Sequence, residues 1–173
     1  MNKLKKELKS SFKGIRTGIL EDNRLAVSAP KDAVLPILSF LKNKGYEHLS
    51  LISCVDWIEE KELELVYVIT SYLQKNDEYA DNERLHILLK TRISRENPEF
   101  KTLVPIFKNA EPYERELHEL FGINFEGNKR LTPLLLERAY KIPPFRKDFN
   151  TREYVKEKFD KISFVEEKKN ERA

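Results

Sequence analysis

The sequence predicts an α/β (α+β) domain: a mixed sheet of about five strands with flanking helices, plus an extended C-terminal tail. Three observations predict it. Short segments with apolar residues at helical spacing alternate with β-rich runs. Three consecutive runs, 46–57, 63–73 and 85–93, carry the Val, Ile, Tyr and Thr that a pleated, half-buried surface favours. A chain of 173 residues can bury one sizeable core and is too short for two ordinary domains.

The elements follow in order. Leu4, Leu8 and Phe12 repeat at helical spacing, and Gly14 closes that first amphipathic segment. Ile15 to Leu20 and Arg24 to Ser28 are β-compatible runs around Glu21-Asp22-Asn23, a cluster suited to a tight turn, so a hairpin is expected. Asp32 is placed to cap a helix over about 33–44 whose face is Val34, Leu35, Leu38 and Leu41, with Gly45 as its stop. The three β runs come next, divided by the charged segment 59–64 and the polar segment 75–83, both read as solvated turns. Pro98 suits the first turn of a helix carrying Phe100, Leu103, Val104 and Phe107. Around Pro112 a further helix begins, with Tyr113, Leu117, Leu120 and Phe121 as its apolar stripe and Gly122 as its end. The tail from Asn150 repeats Tyr154, Val155, Phe159, Ile162 and Val165 at helix-like spacing. Three regions result: an N-terminal α/β domain over 1–110, a charged helix–turn segment over 111–149, and a partner-docking tail over 150–173.

Composition narrows the function. The 32 basic and 29 acidic residues are interspersed and leave a net charge of +3, without the one-sided basic face that nucleic-acid binding requires. Cys54 is the single cysteine, so it cannot close an internal disulfide or hold an iron–sulfur cluster or structural zinc alone; no cofactor of the chain's own is expected. A lone cysteine in an apolar run fits a reducing, cytoplasmic setting. The basic start, MNKLKKELKSSFKG, lacks the apolar core of an export signal. The longest apolar stretch, 34–41, falls far short of the roughly 20 residues of a membrane helix, so no direct membrane span is expected. Abundant lysine and glutamate beside a single glutamine, Gln74, match the composition of proteins from very hot environments.

Catalytic motifs are weak. Gly122 and Gly127 lack the Lys-Ser/Thr that would complete a phosphate loop, and His118-Glu119 is followed by Gly122 where a zinc protease needs histidine. His48 and His86 sit in predicted strands with no second histidine, cysteine or paired carboxylate at ligand spacing, and no Gly-x-Ser-x-Gly turn is present. Glu111, Glu114 and Glu116 crowd the first turns of a helix, where its dipole favours negative charge, and Arg115 can pair with Glu119 four residues on. A hydrolase assembled from His118, Glu114 and Glu119 and a salt-sensitive nucleic-acid-binding domain are the competing readings from other classes.

The densest functional groups lie within residues 111–149: Glu114-Arg115-Glu116, Leu120-Phe121-Gly122-Ile123, Phe125-x-Gly127 and Pro144-Phe145-Arg146-Lys147-Asp148-Phe149. In this order they resemble the signature of the thirty-kilodalton subunit family of respiratory complex I. Where complex I members carry His-Pro-Asp after the second glycine, this chain has Asn128-Lys129, and Phe145 stands where leucine is usual. The wording Glu-Leu-His-Glu-Leu-Phe-Gly over 116–122 is more similar to counterparts in archaeal-type membrane-bound, energy-converting [NiFe] hydrogenases. The resemblance implies a non-catalytic assembly subunit in the cytoplasmic arm of a membrane-bound redox complex. Its implied partners are a large [NiFe]-hydrogenase-like subunit and neighbouring iron–sulfur subunits. It further implies location at the cytoplasmic face of the membrane and support of electron transfer coupled to ion translocation; a place in an NADH or quinone-type complex I is the alternative. Glu114, Arg115, Glu116, Phe121, Gly122, Arg146, Lys147 and Asp148 are the expected interface residues, because closely spaced charges of both signs beside apolar anchors fix register between partners. The competing expectation for each charge is pairing within the subunit.

Overall fold

The structure, a computed structural model, describes residues 1–71, 85–136 and 140–158. Helix α1 (Asn2–Ser11) buries Leu4 and Leu8, one turn apart on a single face. Strands β1 (Arg16–Glu21) and β2 (Arg24–Ser28) form the expected antiparallel hairpin. Helix α2 (Val34–Asn43) buries Val34, Ile37, Leu38 and Leu41. Strands β3 (His48–Trp57), β4 (Glu62–Thr70) and β5 (His86–Ser94) then complete a five-stranded sheet of order β1-β2-β5-β4-β3. The β2–β5 pair is parallel and the other three are antiparallel, so the sheet is mixed.

Alternation along the strands explains the layering. Leu63, Leu65, Tyr67 and Ile69 of β4 are buried and meet Leu25 and Val27 of β2 and Ile87, Leu89 and Ile93 of β5 in one core. Fully burying a side chain of this size stabilises by about 1.5–3 kcal/mol, so this face dominates the fold's stability. Helix α3 (Ala110–Phe121) packs along β3, tied by Tyr113 Oη donating to Ser50 O at 2.9 Å and Asn109 Nδ2 to Leu49 O at 2.8 Å. Short strands β6 (Glu99–Lys101) and β7 (Asn124–Glu126) make a separate parallel pair, and helix α4 (Thr151–Lys158) ends the described chain without burying a residue.

Two local expectations are corrected. The segment after Pro98 is extended rather than helical: Phe100 pairs in register with Phe125, and Thr102 N donates to Glu126 O at 2.9 Å. Phe100, Leu103 and Phe107 are still buried, but from a strand and the turns that follow it. Their helical spacing is overridden by the buried Glu114 carboxylate, which accepts Leu103 N at 2.6 Å and Thr102 Oγ1 at 2.7 Å. Asp32 does not cap α2; it lies in a 3-10 turn (Lys31–Ala33), and the N-cap is Ala33 with no side-chain bond. The polar segment 75–83 and the tail's Phe159, Ile162 and Val165 lie outside the described residues.

Candidate functional site

The charged segment 111–149 is a helix with a strap folded back against it. Gly122 makes the reversal. Its φ of 73° is the left-handed conformation that ends α3, and Gly122 N bonds His118 O at 2.9 Å. A Cβ there would sit 2.9 Å from Pro143 Cγ, so the glycine also permits the strap to press on the helix end. Phe145 N donates to Leu120 O at 3.0 Å, Arg146 Nε to Phe121 O at 2.8 Å, and the Phe121 and Phe145 rings meet edge-to-face at 5.8 Å. The strap therefore satisfies carbonyls that the end of α3 leaves without helical partners.

The Arg-Lys-Asp block is held by Asp56 and Arg95, two residues outside the motif. Asp56 is buried at the end of β3 and accepts Arg95 Nε at 2.8 Å, Arg95 Nη2 at 3.1 Å and Lys147 N at 2.8 Å. Arg95 also donates to Asp148 Oδ1 at 2.6 Å, bridging both carboxylates. Burial pushes the Asp56 carboxyl up, but the Arg95 hydrogen bonds, the Lys147 N–H and the charges of Arg95 and Arg146 outweigh it and leave Asp56 below the usual carboxylate range. Burial, then the charge of Arg95, lowers Arg146 from its ordinary value. A signal for Asp56 exists in the sequence: it shares strand parity with the buried Ile52 and Cys54, so it must face the core and needs a cation. Arg95, in a loop just past β5, carries no such signal.

Helix α3 sends its charges to three different segments. Glu114 is wholly buried and accepts Thr102 Oγ1, Leu103 N and, at 2.9 Å, Asn128 Nδ2. Burial raises its pKa, opposed by those hydrogen bonds. Its position three residues before Leu117, on the apolar stripe, foretells this burial. Arg115 donates to Thr132 O at 3.1 Å and Pro133 O at 2.9 Å, while Glu119 accepts Leu134 N, Leu135 N and Leu136 N at 3.1, 2.8 and 2.6 Å. The Arg115 and Glu119 groups thus clamp backbone, although the Arg115 charge also helps lower Glu119 against the effect of burial. His118 Nδ1 lies 2.9 Å from Ile123 O, which accepts a hydrogen bond when Nδ1 carries a proton.

Of the eight expected interface residues, Glu114 and Phe121 are buried, and Gly122, Arg146 and Asp148 serve the strap. Arg115 serves the loop at 132–136. Glu116 is half-buried, and Lys147 uses its backbone internally while its side chain is exposed. Phe145 is 60% exposed beside it. Glu114 is buried against Thr102, Leu103 and Asn128, away from the cleft that His118 and Glu119 line, so the three do not converge as hydrolytic groups. Cys54 is buried, and burial, with Asp56 close by, pushes its thiol up to about 12, which keeps it protonated and unreactive. Among the described residues no group of three or more His, Cys, Asp or Glu could hold a metal ion.

A cleft of about 260 Å³ lies between the end of α3 and the returning chain, lined by His118, Glu119, Gly122, Leu131, Pro133, Leu136, Tyr140 and Pro143. A second cleft, beside β1 and β5, is lined by charges that pair across strands: Arg92 with Glu62 at 2.8 Å and Lys90 with Glu64 at 3.5 Å.

Comparison with known proteins fits this architecture. Residues 27–155 match the family described as respiratory-chain NADH dehydrogenase, 30 Kd subunit. One component of the F(420)H(2) dehydrogenase of Methanosarcina mazei is 34% identical over 134 residues, covering 76% of this chain and 79% of the relative. A component of the NADH-quinone oxidoreductase of Agrobacterium fabrum is 28% identical over 142 residues, covering 80% and 66%. A chain of the membrane-bound sulfane sulfur reductase, an archaeal respiratory membrane complex, superposes with a TM-score of 0.80 and 28% identity over 94% of this chain and 92% of that one. With the match spanning α2, strands β3 to β5, α3 and the strap, the chain belongs to the 30 Kd subunit family of the respiratory-chain NADH dehydrogenase.

Proposed function

We propose that this chain is a non-catalytic assembly subunit in the cytoplasmic arm of an archaeal-type membrane-bound redox complex. It packs against a large [NiFe]-hydrogenase-like subunit, near iron–sulfur subunits, and supports electron transfer coupled to ion translocation. The observation that carries this reading is the strap: its backbone and half its charges are consumed in fixing one conformation, while Phe145 and Lys147 are left facing outward. A subunit that carries no electrons can still set the register of one that does, and a preformed surface loses less entropy on association. Glu116, Phe145 and Lys147 make direct contact in this reading. Glu114, Arg115, Phe121, Gly122, Arg146 and Asp148 act by bracing that surface.

The likeness to a chain of the archaeal sulfane sulfur reductase over nearly the whole length favours an archaeal parent complex. The Agrobacterium relative supports a second reading, a place in an NADH-quinone type of complex. No helix among the described residues is long and apolar enough to cross a membrane, and the chain reaches the membrane through its partners in either reading. The test is purification of the tagged chain from its native cell in mild detergent, with identification of what accompanies it. Recovery with a large [NiFe]-type subunit and iron–sulfur subunits is expected; recovery alone would refute the assignment.

A further inference from the structure

The loop over 131–136 is the part of the 111–149 segment that the motif does not account for, and its construction is unusual. Arg115 holds two of its carbonyls, Thr132 O and Pro133 O, and Glu119 holds three successive amides, those of Leu134, Leu135 and Leu136. Five charge-assisted hydrogen bonds from one helix to five consecutive residues leave that backbone little freedom. Yet what the clamp presents is apolar: Leu135 is 61% exposed and Leu134 39%. Leu136 instead turns inward to line the cleft at the end of α3, where Pro143 of the strap meets it from the other side. Ile142 and Phe145 stand exposed on that side, with Lys141 and Lys147 beside them.

We infer that Leu134 and Leu135 form a preformed apolar prong that seats in an apolar socket on the large redox subunit, with Arg115 and Glu119 as its positioning residues. The inference rests on the assembly role proposed above and adds a second anchor to it, distinct from the strap. Two observations select a protein socket as the occupant. Insertion into lipid needs apolar area and not a fixed backbone, whereas a clamped loop matches a socket of one shape. Pro133 and Leu136, which flank the prong, line one cleft with Pro143 of the strap, so prong and strap both lie at the same end of α3 and can meet one partner surface. The exposed lysines beside the strap call for an acidic rim on that surface.

The test uses the complex isolated from the native cell through a tag on this chain. Leu135→Asp is expected to weaken retention of the large subunit by about tenfold or more, as loss of a central apolar anchor does. Leu135→Met should restore it, and Leu20→Asp, at an equally exposed leucine on β1, should leave it unchanged. A photo-crosslinking residue at 135 should capture the large subunit at one position, and Arg115→Ala should scatter that crosslink. If the unaltered chain brings down no large redox subunit, the assembly role itself fails. If it does, but Leu135→Asp retains the partner equally or the crosslink goes to lipid, only the prong is overturned.

Discussion

The sheet-and-helix body and the chain that follows it are stabilised in opposite ways. Through β7 the described chain buries a continuous apolar cluster of the sheet, α1, α2 and α3. From Gly127 to Lys158 no described residue is buried. That stretch is positioned by side chains of the body, namely Asp56, Arg95, Arg115 and Glu119, reaching its backbone and Asp148. Hydrogen bonds of this charged kind contribute about 1.5–3 kcal/mol each at best, and less where water competes. The body therefore unfolds as a unit, while the strap and loop can open locally at much lower free energy. A surface built this way is shaped before a partner arrives, in keeping with the docking role proposed for it.

Substitutions can break this contrast, beginning with the largest effect. Leu65→Ala in the core of β4 is expected to cost about 2–5 kcal/mol and to lower the midpoint of global denaturant unfolding. Asp56→Ala should cost about 2–3 kcal/mol, less than removing half of an isolated buried pair because Arg95 keeps Asp148. Its distinctive result is faster amide exchange and trypsin cleavage around Arg146 and Lys147, with β4 amides unaffected. Gly122→Ala should cost roughly 1–2 kcal/mol, since it combines a left-handed residue with a contact on Pro143, and should loosen the strap without altering the core. Arg24→Ala, which removes one half of an exposed pair with Glu21, should leave the thermal midpoint unchanged.

Acid should separate the two regions as well. Asp56 and Glu119 are both held below the ordinary carboxylate range, so their stabilisation is complete above about pH 4 and is lost as pH falls through their lower folded-state values. Glu114 is raised, so its burial cost is largest above its folded value and lessens as acid protonates it. Acidification should therefore release the strap and the 132–136 loop before the body. Amide exchange at 134–136 and 145–149, corrected for intrinsic rates and compared with 63–69, measures the order; simultaneous loss of protection would count against it.

This contrast also explains which features the sequence disclosed. The body was legible because strand alternation and helical stripes are local consequences of a buried face, and the order of α1 through β5 follows from them directly. The segment after Pro98 misled because Phe100, Leu103 and Phe107 fit a helical stripe, whereas pairing with β7 and the demands of Glu114 chose an extended path. The charged motif was visible as a cluster, but which of its members bond within the subunit depends on partners 11 to 91 residues away. Asp56 and Glu114 could have been identified by their parity with apolar neighbours. Arg95 and Glu119 read as ordinary surface charges until the fold places a carboxylate and three amides beside them.

Docking of this kind requires one face of the molecule to be covered in the assembled complex. Hydroxyl-radical footprinting of the free chain and of the isolated complex tests this most directly, because it reads side-chain exposure residue by residue. Leu134, Leu135 and Phe145 should be oxidised in the free chain and strongly protected in the complex, while Leu20 on β1 stays equally reactive in both. Equal oxidation of Leu135 and Phe145 in the two states would contradict the docking surface proposed for the strap and its neighbouring loop.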